Sequence, residues 1–161
     1  MNNYSELTPE INYEYLANFR LGNLLFGINV ASALEVLEYQ EPKPFFYRSK
    51  EEKEFIIGII KYRSMIIPVV SLHATLGLPE IDNLNKAFFY VVSTPECKFS
   101  LLVNEVGDVI KVDRNHFEDV PATISNRIKA ILKGVYRIKN SLILVTSPKD
   151  ILSVFKQHLP N

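Results

Sequence analysis

The stretch that decides the fold is residues 55–73, FIIGIIKYRSMIIPVVSLH. Two short apolar runs, 55–60 and 65–70, flank the polar tetrapeptide KYRS at 61–64. Short apolar runs separated by turn residues are typical of a β-hairpin. We therefore predict a hairpin whose strands are buried in a core and whose turn presents Arg63 to solvent.

The same pattern recurs along the chain. Hairpins are predicted across residues 16–30, 55–72, 87–106 and 132–146. The first turns at Gly22-Asn23, where glycine readily adopts the positive φ that a two-residue turn requires. Many short strands at regular spacing predict a mainly β chain built from small barrels or a sandwich.

Other elements are less regular. Pro68 removes a ladder donor, so its strand is expected at a sheet edge or a bulge. The shared face of Ala33, Leu34 and Leu37 predicts one or two helical turns over 31–37. Further helices are predicted over 125–132 and from Pro148, and Ser49 with Glu52 resembles a capping box.

The expected organisation is a flexible arm at 1–14, one domain at 15–155 and a tail at 156–161. Within the domain, the turn-rich stretch 77–86 is the expected boundary between two β subdomains, with terminal segments able to cross over it.

A weak internal repeat accompanies this organisation. Gly27-Ile28-Asn29-Val30 resembles 102–106 about 75 positions on, and Gly58 resembles Gly134 at 76 positions. Two interpretations remain open at this stage. The chain contains two similar β units, or hairpins rich in Ile and Val resemble one another by chance.

Composition narrows the possible functions. Eighteen basic residues balance eighteen acidic ones, which argues against a nucleic-acid partner. No apolar run approaches the ~18 residues that span a bilayer, so no membrane insertion is expected. The N-terminus lacks the features of a secretory signal, and the single cysteine, Cys97, suits a reducing compartment. We predict a cytoplasmic protein.

No constellation of catalytic residues is found. His73, His116 and His158 follow no metal-ligand spacing, and nucleophile and phosphate-binding motifs are missing from the sequence. Glu35 and Glu38 are interpreted as an acidic solvated face or a partner contact. We therefore predict no catalytic, cofactor or metal site, and a protein that acts by presenting surfaces.

A resemblance then becomes apparent. Residues 55–60, Tyr62-Arg63, 67–72 and Leu76-Gly77 resemble the signature of the CheW-like chemotaxis adaptor family. The likeness extends to segments in 19–36, 102–109 and 134–152, and together it covers roughly residues 16–155.

The resemblance implies two five-stranded SH3-like barrels that share a hydrophobic seam. It implies a non-enzymatic scaffold that couples a chemoreceptor's cytoplasmic tip to a CheA-type histidine kinase. The first barrel would dock onto the kinase's regulatory domain, and the groove between barrels would receive the receptor. Recruitment to membrane-bound receptor arrays and self-association within them are also implied.

By position, the resemblance places Val30 and Ala33 on the kinase-facing surface. It assigns Glu35 and Arg63 to partner contact or groove geometry. Tyr62 replaces a leucine of the family pattern and Ser64 replaces a glycine, so the turn is expected to differ. From the residues alone Arg63 is a solvated turn residue, whereas the resemblance favours a functional role.

Several alternatives stay open. The pathway is flagellar chemotaxis, or a surface-motility system such as type IV pili. An isolated SH3-like interaction module outside chemotaxis is the alternative function. The aromatic segment 42–47 is either a loop packed on the first barrel or a docking patch. No receiver domain is visible in the sequence, so a standalone adaptor is expected.

Overall fold

The computed structural model of the protein describes residues 12–40, 47–48 and 55–156. Residues 13 and 14, expected in the flexible arm, belong to the first strand. The rest of that arm lies almost wholly outside the described residues, as do the pair Ser49 and Glu52, the aromatic residues 42–46 and the tail from 157.

The described residues form twelve strands and two α-helices. The strands are β1 (Tyr13–Leu21), β2 (Leu24–Asn29), β3 (Ala33–Glu38), β4 (Tyr47–Arg48), β5 (Ile56–Tyr62), β6 (Met65–Val70), β7 (Phe88–Ser93), β8 (Lys98–Val103), β9 (Glu105–Val106), β10 (Ile110–Asp113), β11 (Gly134–Ile138) and β12 (Ser141–Val145). The helices are α1 (Asn126–Lys129) and α2 (Pro148–Lys156). All four predicted hairpins are confirmed.

The strands form two sheets, which confirms the predicted mainly β fold. The first sheet has the order β10-β1-β2-β12-β11, with β9 also paired to β1. The second has the order β3-β7-β8-β6-β5-β4. The orders correspond strand for strand, apart from the additional β4 and β9. This correspondence supports the interpretation of the internal repeat as two similar β units.

The second sheet is formed by the consecutive strands β3 to β8, which lie between the two chain segments, β1–β2 and β9–β12, that form the first sheet. After the β1–β2 hairpin of the first sheet, the chain crosses and β3 pairs with β7 of the second. After the β7–β8 hairpin of the second sheet, β10 returns to pair with β1 of the first.

The expected boundary at 77–86 therefore does not separate the sheets. That stretch joins β6 to β7 within the second sheet. Sheet membership follows from strand pairing, which the local abundance of turn residues does not reveal.

The helix predicted over 31–37 is wrong. Residues Val30–Ser32 form a 3-10 turn, capped by the Asn29 side chain, which accepts the Ala31 N–H at 2.9 Å. The following residues form strand β3. A helix this short is marginal by itself, and the available edge of β7 offers backbone hydrogen bonds that override the helical spacing.

Pro68 does not lie in an edge strand, because β6 sits between β8 and β5. The parallel pairing with β8 involves only Val69 and Val70, so Pro68 precedes that ladder. On the other side, the β5–β6 register shifts between Ile56 and Gly58. The proline is thus accommodated at the start of one ladder and close to an irregularity in the other.

The two other predicted helices are present. Ser125 caps α1, and its Oγ accepts the Ile128 N–H at 3.4 Å. Pro148 is the first residue of α2, where a missing N–H has no cost. Helix α2 is attached to the core through Ile151, which is completely buried.

One hydrophobic cluster joins the two sheets. It combines Phe19 and Phe26 from the first sheet with Tyr90 and Phe99 from the second. The Phe19 and Phe26 rings stack at 5.8 Å, and the Tyr90 ring lies 5.7 Å from Phe19. Burying each large side chain contributes about 1.5–3 kcal/mol, so this shared core holds the sheets together.

We predict that Ser100→Ala leaves the free energy of unfolding unchanged or raises it by up to about 1 kcal/mol. The Ser100 hydroxyl is completely buried, faces Val91 and Val69 on the neighbouring strands, and has no hydrogen-bond partner among the described residues. Chemical denaturation would measure the effect. The control Val91→Ala opens a cavity at the same place and is expected to lose about 2 kcal/mol. A comparable loss for Ser100→Ala would contradict the assignment.

Gly134→Ala is expected to destabilise the protein by more than Gly22→Ala. A Cβ at position 134 would lie 2.6 Å from the Glu118 carbonyl oxygen, which pairs with Val135 in the backbone bridge. Gly22 has a positive φ of 60° and open space around it, so alanine there costs only the conformational strain of about 1–2 kcal/mol. Equal losses for the two variants, measured by urea unfolding, would contradict this reasoning.

Candidate functional site

The β5–β6 turn consists of Arg63 and Ser64, between the paired residues Tyr62 and Met65. Arg63 adopts a positive φ of 55°, which non-glycine residues rarely do. The positive φ of this turn thus falls on Arg63, one residue before Ser64. Two-residue turns that match the twist of a hairpin require a positive φ at their first residue, which explains the conformation of Arg63.

The Arg63 side chain is oriented by two neighbours. Its Nε donates to the Tyr62 hydroxyl oxygen at 3.1 Å, and its Nη2 lies 3.7 Å from Glu35 Oε1. The hydroxyl of Tyr62, followed by the negative charge of Glu35, raises the pKa of Arg63 above its ordinary value. The guanidinium remains charged and 72% exposed, so it is directed yet available to a partner.

Tyr62 combines a buried ring with a polar hydroxyl. The residue is only 5% exposed, and its ring packs among Ile60, Ile67 and Phe89 in the second sheet's own core. Its hydroxyl reaches the surface to meet Arg63, whose guanidinium carbon lies 5.4 Å from the ring centre. A buried ring thus fixes the position of an exposed charge.

A bulge in β3 positions Glu35. Ala33 pairs with Val92 and Glu35 pairs with Val91, so Leu34 is an extra residue in the strand. Such bulges re-aim the side chains around them. The ion pair between Glu35 and Arg63 connects this bulge to the β5–β6 turn.

The structure brings Glu35, Tyr62 and Arg63 together, and we call them the Arg63 cluster. Val30 lies in the exposed 3-10 turn before β3, and Ala33 begins β3 and packs against the shared core. Among the described residues, neither forms a hydrogen bond or ion pair with Arg63. Ser64 is exposed beside Arg63 in the turn.

Sequence reasoning missed an apolar surface on the same hairpin. Ile59, Met65 and Ile66 are 42%, 43% and 63% exposed, although we expected the apolar strands to be buried. Ile59 and Ile66 lie on the same face of the hairpin, and we call these two residues the hairpin patch; Met65 pairs with Tyr62 and lies on the other face. Strand alternation could have revealed Ile59, since Ile60 and Tyr62 occupy the buried face of β5 and Ile59 the opposite one.

The described residues contain no group of three or more His, Cys, Asp or Glu side chains that could hold a metal ion. The helices in this part of the chain are too short or too polar to cross a membrane. Cys97 is exposed in the β7–β8 turn.

The sequence and structure can now be compared with those of known proteins. The CheW-like domain profile matches residues 16–156. The chain belongs to the CheW-like domain family. It is 25% identical to the chemotaxis protein CheW of Treponema pallidum (strain Nichols) over 142 residues, covering 86% of this chain and 81% of that protein. It is 22% identical to the chemotaxis protein CheW of Bacillus subtilis (strain 168), covering 91% and 92% of the two chains.

A solved structure shares the CheW-like fold. The scaffolding protein TtCheW from Thermoanaerobacter tengcongensis superposes with a TM-score of 0.69 at 27% sequence identity. The match covers 83% of this chain and 88% of that one. The predicted CheW-like architecture of two small SH3-like β units is thereby confirmed.

The strain at Arg63 generates a stability prediction. We expect Arg63→Gly to melt higher than Arg63→Ala by roughly 2 °C, because glycine accepts a positive φ without strain while both variants lose the same ion pair. Lys139 has a φ of 51° at the corresponding position of the β11–β12 turn. The Lys139→Gly and Lys139→Ala pair should show the same order, and the reverse order at both turns would contradict the argument.

Proposed function

We propose that this CheW-like protein is a non-enzymatic scaffold that couples a chemoreceptor's cytoplasmic tip to the regulatory domain of a CheA-type histidine kinase. The observation that carries the proposal is the Arg63 cluster, exposed on the hairpin that bears the family signature. Relatives that match most of this chain are named chemotaxis proteins, and the matching solved structure is named a scaffolding protein.

The Arg63 cluster has the chemistry of a recognition site. Exposed ion pairs add little to stability, so the pair with Glu35 is better explained by orientation of the guanidinium. Arginine offers five planar donors that suit a carboxylate. We therefore infer that Arg63 receives an acidic side chain of a partner, with Tyr62 and Glu35 fixing its direction.

The hairpin patch adds an exposed apolar area to the hairpin that carries Arg63. Ile66 is the more exposed of its two residues, and its cross-strand neighbour is Lys61. Exposed apolar side chains close to charged ones are typical of a protein-binding surface. Val30 and Ala33, near the beginning of β3, are proposed to extend the surface toward the kinase.

A pull-down against the kinase regulatory domain and a receptor-tip fragment tests the proposed coupling. We expect both fragments to be retained by the wild-type protein. Retention of neither would reject the scaffold function and leave an SH3-like interaction module outside chemotaxis as the remaining explanation.

Arg63→Ala is expected to weaken retention of at least one partner by about tenfold, a loss typical of an interface arginine. Its circular dichroism and melting temperature should remain nearly unchanged, because the removed side chain is largely exposed. Lys139→Ala is the matched control, since it removes a basic side chain from the corresponding turn of the first sheet. A large fall in melting temperature for Arg63→Ala would instead indicate a structural role.

A charge exchange separates partner contact from internal pairing. Arg63→Glu and Glu35→Arg each break the ion pair, and the double variant restores it with the charges reversed. If Arg63 meets a partner's acid, the double variant should still bind as poorly as Arg63→Glu in a titration. Recovery of wild-type affinity would mean that only the internal pair matters.

A further inference from the structure

A buried polar network outside the Arg63 cluster connects the two sheets. His73 is completely buried, and its Nε2 lies 2.6 Å from Asn104 Oδ1. Asn104 Oδ1 also accepts the Gly22 N–H at 2.8 Å. On the other side of the ring, His73 Nδ1 lies 3.4 Å from Ser71 Oγ. We call these four residues the His73 network.

The backbone turn that follows β6 fixes the position of His73. A single helical turn follows β6 and ends at Gly77, which has a φ of 73°. The Leu78 N–H donates to the His73 carbonyl at 2.7 Å, and the Gly77 N–H donates to the Ala74 carbonyl at 3.1 Å. This pair of bonds is a Schellman motif, which needs a left-handed residue at the position of Gly77.

The protonation of the network can be derived from one unambiguous donor. The Gly22 N–H is a backbone group that can only donate, so the atom it meets on Asn104 must be the carbonyl oxygen. That oxygen cannot donate, so His73 Nε2 must carry a proton. In the neutral ring Nδ1 is then an acceptor, and the Ser71 hydroxyl donates to it.

The network spans the points where the sheets meet. Gly22 lies in the β1–β2 turn of the first sheet, and His73 follows β6 of the second. Asn104 lies between β8 and β9, where the chain crosses from one sheet to the other, and its N–H donates to the Arg20 carbonyl at 2.9 Å. The buried imidazole therefore ties the segment after β6 to Asn104, and Asn104 in turn bonds the first hairpin through Gly22 and Arg20.

A cleft of about 390 Å³ opens beside this network. It is lined by Gly22 and Asn23 of the β1–β2 turn, Asp82 and Lys86 from the loop before β7, and Asn104. Gly22 and Asn104 thus belong both to the cleft and to the His73 network, so a displacement of either would alter the cleft.

We propose that His73 is a positioning residue that holds Asn104 and the β1–β2 turn in register and so fixes the cleft between the sheets. This inference deepens the proposed function and rests on it only where partner binding is concerned. A partner that contacts both sheets binds best when their relation is set beforehand, since ordering them on binding would reduce the affinity.

The first test uses the unaltered protein. Long-range ¹H–¹⁵N correlation spectra of the histidine rings should show His73 as the Nε2–H tautomer, the form that hydrogen bonding to the Asn104 oxygen requires. A ring protonated only at Nδ1 would overturn the proposal, because Asn104 could then not accept from both Gly22 and His73. This measurement needs no variant and is independent of any partner.

The second test compares two substitutions. His73→Phe keeps a ring of similar shape without a donor, whereas His73→Gln places an amide N–H near the former Nε2. We expect exchange of the Gly22 amide to become roughly tenfold faster in His73→Phe, relative to global unfolding, and to stay near wild type in His73→Gln. Equal exchange in wild type and His73→Phe would overturn the proposal. If both variants fail to fold, the proposal is judged by the His73 tautomer measured in the unaltered protein.

Partner binding is the third readout. His73→Phe should weaken binding of the receptor-tip fragment, which is expected to contact both sheets. His73→Gln should retain this binding. If His73→Phe binds normally while Arg63→Ala does not, the scaffold function stands and the part of this proposal that concerns binding falls. If the wild-type protein binds neither fragment, the scaffold function falls, and the spectra and amide exchange still judge the His73 network.

Discussion

The insertion of the whole second sheet, β3 to β8, between β2 and β9 of the first sheet is the constraint on which the rest of the structure depends. The first sheet needs β10 to cover the open side of β1, and the second needs β3 beside β7. Backbone groups at these edges would otherwise lack partners. The chain must therefore cross twice between the sheets, and both crossings pass close to the shared core of Phe19, Phe26 and Tyr90. The two β units are inseparable for this reason.

The Arg63 cluster is a consequence of the strand order within the second sheet. Glu35 belongs to β3 at one end of that sheet, and Arg63 joins β5 and β6, which are separated from β3 by β7 and β8. Their ion pair therefore depends on how these strands are arranged. The site on which the proposed coupling depends is thus a product of the topology, although both residues are simple surface side chains in sequence.

Much of the fold could be predicted because hairpins are encoded locally. Alternating apolar residues and a turn are adjacent in the chain, so the four hairpins and helix α2 followed from pattern alone. The pairing of β3 could not be predicted, because its partner β7 is about fifty residues away and its own spacing also fits a helix. The bulge at Leu34 could not be predicted for the same reason. Nor could the pairing that makes 77–86 a connection between two strands of one sheet. The exposure of Ile66 depends on which face of β6 meets the core, and the role of His73 depends on Asn104, a distant residue in sequence.

The interlocked order of strands also determines when each sheet can form as the chain leaves the ribosome. The second sheet has all its strands once residue 103 has been made, whereas the first must wait for β12, which ends at Val145. Its opening hairpin is the first element to emerge and the last to find all its neighbours. At roughly 5–20 residues per second, the buried face of β1 and β2 waits for several seconds to tens of seconds. During synthesis, the segment most in need of protection from aggregation is therefore the one at the very start of the domain.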